Sequence, residues 1–120
     1  MSPHLFDSEL KVMEILWQNG DTTAKEIAAL LSAQTGWSKT TTYTVIKKCV
    51  DKGAIERREP NFVCHALITK DEERERETAE LVDKMFGGSS DLLVASLINK
   101  KKLSQGQLQN LRRLILEMEE

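Results

Sequence analysis

Thr40, Tyr43, Thr44 and Lys47 recur at three- and four-residue spacing in the segment WSKTTTYTVIKKCVDKGAIERR, the spacing that lines side chains along one face of a helix. Hydroxyls and an ammonium presented together can reach base edges and phosphate oxygens, the first specifying and the second positioning a nucleic acid. Thr42, Val45, Ile46 and Cys49 have the same spacing on the opposite face, where they form a stripe suited to a core. Ser38 is a natural N-cap and Gly53 fits the left-handed position that ends a helix after Lys52,. The chain then runs into a basic strand with Arg57 and Arg58. A Thr/Lys-rich outer face is by itself more often merely solvated, so its neighbours decide its meaning.

Charge and composition narrow the choice. The formal net charge is −2, which argues against coating a polyanion by bulk charge. Yet residues 38–58 hold Lys39, Lys47, Lys48, Lys52, Arg57 and Arg58 against only Asp51 and Glu56, and such a local basic patch favours docking in one orientation. The chain has two histidines, no glycine-rich phosphate loop and no nucleophile–base pair, so neither catalysis nor a cofactor is expected. Cys64 and His65 are adjacent and point to opposite faces of a strand, and no spaced Cys/His pairs of the zinc type occur, so no metal site is expected. Cys49 and Cys64 read as reduced core residues. The sequence lacks an apolar run of membrane-spanning length, and MSPHLFDSEL lacks signal-peptide character, so the expected location is the cytoplasm, without membrane insertion.

Punctuation along the chain supplies the elements that must carry the helix. Ser8 to Gln18 is predicted helical and Asn19-Gly20 ends it; Thr22 and Thr23 are extended,. Thr23 with Glu26 opens a second helix through Leu31, with a turn over Ala33 to Gly36,. The reading helix follows from Ser38 to Lys52, then a strand from Ile55 to Glu59, a Pro60-Asn61 turn and a strand from Phe62 to Leu67,. This is the order of a winged helix-turn-helix. Beyond it, Thr69 with Glu72 opens a charged helix whose later turns expose Leu81, Val82, Met85 and Phe86. Gly87-Gly88 breaks it, an apolar helix runs from Ser90 to Lys100, and Ser104 with Gln107 opens the last helix. The expected fold is mainly α with a small β wing: a winged-helix DNA-binding domain over 1–69 and a three-helix dimerisation region over 70–120. Three short helices cannot close a good core alone. Leu81, Met85, Leu93, Leu97, Leu108, Leu111, Leu114, Ile115 and Met118 therefore predict a homodimer; folding back as a monomer stays open as the alternative.

LFDSELKVMEILW, the Trp37-Ser38 start with Thr41 and Thr44 inside the helix, the Lys52-Gly53 ending, Gly87-Gly88 and the LysLeuSer of Lys102 to Ser104 together resemble the penicillinase and methicillin-resistance repressor family, which also includes copper-responsive repressors. The resemblance runs from about Leu5 to Glu120. It implies a cytoplasmic homodimeric repressor on an inverted-repeat, double-stranded DNA operator. It also implies phosphate contacts from Lys39, Thr41 and Lys48, base contacts from Thr40, Tyr43 and Thr44, and a backbone contact from Arg57 or Arg58, on a helix opened by Ser38. The chain departs from the pattern at Thr42, where an aliphatic is usual, at Cys49, where leucine is usual, and at Phe6, in the cap position of the first helix. In antibiotic-responsive members a membrane sensor-protease pathway leads to cutting after the GlyGly break. The bond in register here is Ser96–Leu97, without the usual asparagine-phenylalanine pair. The chain ends in LEMEE, without the cysteine-rich tail of the copper-responsive members.

A second reading stays open at this point, a dimeric winged-helix adaptor that contacts proteins and does not read DNA, because this fold hosts both uses. Steep weakening of duplex binding with salt separates the two.

Overall fold

A computed structural model describes residues 3–100 and 102–118, and the chain divides into two compact units, Met1–Glu77 and Thr78–Glu120. The first contains α1 (Asp7–Asn19), β1 (Thr22–Thr23), α2 (Ala24–Thr35), α3 (Lys39–Asp51), β2 (Ile55–Arg58) and β3 (Val63–Ala66). The unit boundary falls within α4 (Lys70–Met85), and α5 (Ser90–Asn99) and α6 (Gln105–Met118) follow. The chain is thus mainly helical, with one three-stranded antiparallel sheet of order β1-β3-β2. The wing hairpin pairs Ile55 with Ala66 and Arg58 with Val63, and β1 pairs Thr22 with Cys64 on the other edge of β3. No described helix is long and apolar enough to cross a membrane.

Local chemistry explains where most helices begin. Thr23, Ser38, Thr69 and Ser104 each accept a hydrogen bond from the backbone N–H three residues on, at 3.0–3.2 Å. Glu72 and Gln107 return the favour to the cap residue's own N–H, so two otherwise orphaned donors are satisfied at the starts of α4 and α6. Two expectations are corrected at the other ends. α2 runs through Thr35, so Ala33 to Thr35 are helical and not turn; Ser32, Ala33 and Gln34 do not break a helix, and the chain leaves it only at Gly36, whose φ is +77°. Both wing strands are also shorter than expected, because Asn61 and Phe62 take φ of +72° and +52° and belong to the turn.

The winged-helix core is built where the helical stripes meet. Val12, Met13 and Leu16 of α1, Ile27 and Leu31 of α2, and Val45, Ile46 and Cys49 of α3 are buried together with Ile55 and Cys64 of the wing. Trp17 Nε1 donates to the Ile68 carbonyl at 3.0 Å, tying the chain after the wing back to α1. Val82 of α4 is buried and Phe86 half-buried, so of the four apolar residues expected to be exposed there only Leu81 and Met85 are. Both thiols are free. Burial, reinforced by the Glu9 charge, pushes Cys49 up to about 12, and burial pushes Cys64 up to about 11. Both therefore stay protonated and inert near neutral pH.

One ion pair locks α3 onto α1. Glu9 is fully buried; its Oε1 accepts from Lys52 Nζ at 2.6 Å and from the Phe6 backbone N–H at 2.7 Å. Lys52 Nζ also donates to the His4 carbonyl at 2.9 Å and lies 3.9 Å above the Phe6 ring. Phe6 thus serves in the cap position without a side-chain acceptor: Glu9 covers the cap N–H, and the ring holds the ammonium. Among the described residues, Glu9 Oε2 and Thr42 Oγ1 are buried without a hydrogen-bond partner.

Two stability predictions follow from these groups. Lys52→Met strands a buried carboxylate and should lower the unfolding free energy by about 3 kcal/mol, the low end for a broken buried pair because Lys52 keeps some solvent contact. Adding Glu9→Gln should restore part of that loss, and urea denaturation of the single and double variants would read both effects. Thr42→Val removes the unpartnered hydroxyl at nearly constant volume and should raise stability by about 1 kcal/mol in the same assay. A loss of stability would show that the hydroxyl has a partner.

Candidate nucleic-acid interface

The exposed face of α3 is held rigidly at its start. Ser38 Oγ accepts from the Thr41 N–H at 3.1 Å and donates to Thr41 Oγ1 at 2.9 Å, which leaves the Thr41 hydroxyl proton free to point outward. Thr44 is different: its hydroxyl donates to the Thr40 carbonyl on its own helix at 3.0 Å. The hydrogen of Thr44 is therefore engaged, and its methyl and acceptor lone pair remain. Ser38, Lys39, Thr40, Thr41, Thr44, Lys47 and Lys48 are all solvent-exposed. Tyr43 is half-buried. Its ring meets Phe62 of the wing edge-to-face, with centroids 5.9 Å apart at 89°, and Lys39 Nζ lies 5.6 Å from its centroid.

The wing contributes cations that are already engaged. Arg57 stacks 3.8 Å over the Phe62 ring and donates through Nε to Glu59 at 2.5 Å. Arg58 Nε donates to Glu56 at 2.6 Å, and its guanidinium lies 3.5 Å from Asp21, which also pairs with His65 Nδ1 at 2.7 Å. The Glu56 hydrogen bond pushes Arg58 further into its charged form. All of these pairs are solvent-exposed and individually weak, so a phosphate can displace the carboxylates.

Between α3 and the wing lies an open groove of about 660 Å³ lined by Thr40, Tyr43, Thr44 and Lys47 on one side and by Arg57 and Phe62 on the other. The structure thus brings together six of the sequence-predicted residues, Lys39 included. It leaves Ser38, Thr41, Lys48 and Arg58 outside the groove. Phe62 and Val50, which line it, were missed by sequence reasoning. Phe62 reads as the first residue of a strand, and the only hint is an aromatic directly after the Pro60-Asn61 turn.

In the second unit the predicted dimerisation residues form apolar faces. Leu81, Met85, Leu97, Leu114, Ile115 and Met118 are exposed, and Leu93, Leu108 and Leu111 are half-buried. A notch of about 290 Å³ is lined by Val94 and Leu97 of α5, by Leu103 and by Leu111 and Leu114 of α6. The Ser96–Leu97 bond lies inside α5, with the Ser96 carbonyl accepting from the Lys100 N–H at 3.2 Å. No group of three or more His, Cys, Asp or Glu side chains able to hold a metal occurs among the described residues.

Known proteins carry the same plan. The methicillin resistance regulatory protein MecI of Staphylococcus aureus is 27% identical over 110 residues, covering 90% of this chain and 89% of that protein. The penicillinase repressor of Bacillus licheniformis is 23% identical over 117 residues, covering 96% and 91% respectively. The solved monomeric form of Bacillus licheniformis BlaI, in complex with the blaP half-operator, superposes with a TM-score of 0.54 at 27% identity, covering 59% of this chain and 89% of that one. These are repressors and not enzymes. The penicillinase repressor family model matches residues 5–117, so the chain belongs to the penicillinase repressor family.

Proposed function

We propose that this chain is a cytoplasmic transcriptional repressor that binds an inverted-repeat operator in double-stranded DNA as a homodimer. Residues 1–69 are its DNA-binding domain and residues 70–120 its dimerisation domain. The observation that carries the reading is the groove in which exposed α3 side chains face a wing cation, Arg57, across aromatic rings. A helix and a hairpin spaced in this way suit a major groove and its flanking backbone. In this reading Ser38 starts the helix and Lys39, Thr41, Lys47 and Lys48 hold phosphates. Thr40, Tyr43 and Thr44 face bases, and Arg57 and Arg58 exchange their carboxylates for the backbone. A half-operator is what the BlaI relative of known structure binds, which supports the same use here.

Homodimerisation is supported by the apolar faces of α4 to α6, which leave Leu81, Met85, Leu97, Leu114, Ile115 and Met118 exposed. Relief of repression by a membrane sensor-protease pathway cutting at Ser96–Leu97 fits the same organisation, because cutting there detaches the whole of α6 with its apolar stripe. The bond is helical, so α5 must open locally before a protease can take it.

Selection of duplexes from a random pool tests the function directly. A recovered palindrome, bound more weakly as salt rises, is the expected result; recovery of no sequence would favour a protein-contacting adaptor. On the recovered duplex, Lys48→Ala should weaken binding to all sequences alike and reduce the salt slope by about one unit, as one lost phosphate contact does. A shift in base preference would place Lys48 against bases instead. Leu111→Asp puts an unpaired carboxylate into the α6 stripe and should yield monomers by sedimentation. Loss of intramolecular second docking should then lower affinity for the full palindrome by about 10²–10⁴ while leaving a half-site unaffected.

A further inference from the structure

The reading face of α3 holds little hydrogen-bonding chemistry for bases. The helix KTTTYTVIKKCVD contains no Arg, Asn or Gln, which leaves only its lysines among the side chains that grip guanine or adenine through two hydrogen bonds. The Thr44 hydroxyl proton is engaged on its own helix, and the Tyr43 ring is turned edge-to-face against Phe62. Beside the Thr40 and Tyr43 hydroxyls, the groove offers methyl groups, two aromatic rings and Val50, rimmed by Lys39, Lys47 and Arg57 against the single acid Asp51. An apolar floor with a cationic rim complements an apolar substituent carried between phosphates. In the major groove only thymine presents one, its C5 methyl.

Phe62 makes this floor. Its φ of +52° is a left-handed conformation that bulky residues rarely adopt,, and such geometry persists only where the surroundings over-determine it. Here the Phe62 carbonyl accepts from the Ala24 N–H at 3.0 Å, and its ring is enclosed by Arg57 on one side and Tyr43 on another. One wing residue therefore meets both the Tyr43 ring and the Arg57 guanidinium.

We propose that the groove between α3 and the wing reads the C5 methyl group of a thymine, with Phe62 as the positioning residue that builds the receptor. The inference rests on the repressor reading above and deepens it. The test uses the full chain and the palindromic duplex recovered by selection, with each thymine replaced in turn by deoxyuridine, which removes the methyl and leaves the hydrogen-bonding edge intact. At one thymine per half-site, affinity should fall about fourfold, the equivalent of one buried methyl group, and be unchanged elsewhere. Tyr43→Phe, which keeps the ring, should retain that penalty. Phe62→Ala, checked for folding by circular dichroism, should bind the thymine and uracil duplexes alike. If no replacement weakens binding by the intact chain, the methyl receptor is refuted while specific operator binding stands, and this arm does not depend on any variant folding. A penalty that survives Phe62→Ala refutes the role of Phe62. Failure to recover any duplex overturns the repressor reading and this inference with it.

Discussion

The ammonium of Lys52 is the point on which the geometry of the winged-helix unit turns. It sits at the C-cap of α3 and is held by the buried Glu9 carboxylate, the His4 carbonyl and the Phe6 ring. In one contact it fixes where α1 begins and where α3 ends. Hydrophobic contacts alone specify this poorly, because apolar surfaces tolerate sliding whereas a charged pair with defined partners does not. The desolvation of Glu9 makes such a pair a weak source of net stability; its worth lies in the pose of α3, and so in where the exposed face of that helix meets the wing.

From that pose follows the electrostatic character of the interface. Among the described residues, Lys39, Lys47 and Lys48 form no ion pairs, whereas Arg57 and Arg58 are engaged with Glu59, Glu56 and Asp21. The helix lysines can gain a phosphate without losing a carboxylate. The wing arginines contribute only the difference between a phosphate and a carboxylate, which makes the wing a weaker electrostatic anchor than its charge suggests. The Arg57–Phe62–Tyr43 ladder compensates in another way, since stacking fixes the direction of the guanidinium before any ligand arrives and lowers the ordering cost of binding.

The second unit is simpler in local chemistry and less self-sufficient. The Ser104–Gln107 box starts α6, and Gly87 and Gly88, with φ of +57° and +81°, follow the end of α4. Yet no residue of α5 or α6 is buried. Helices this short gain most of their stability from packing an apolar face, and the faces of α5 and α6 are only partly covered.

Sequence by itself determined several features that depend on short-range rules: the starts of α2, α3, α4 and α6 from their capping residues, the buried stripe of Thr42, Val45, Ile46 and Cys49 from its period, the extended Thr22 and Thr23, and the position of the wing hairpin. Those features are legible because each depends on neighbours within about one helical turn. Only the tertiary structure decided the rest. The partner of Lys52 is 43 residues away, so nothing local distinguishes it from the exposed Lys47 and Lys48. The turning of Tyr43 from a free reader into half of an aromatic pair depends on Phe62, nineteen positions later and in a left-handed conformation that no propensity predicts. Whether a hydroxyl such as that of Thr44 faces outward or bonds its own helix is likewise a choice between rotamers, made by the packing around it and not by the residue's identity.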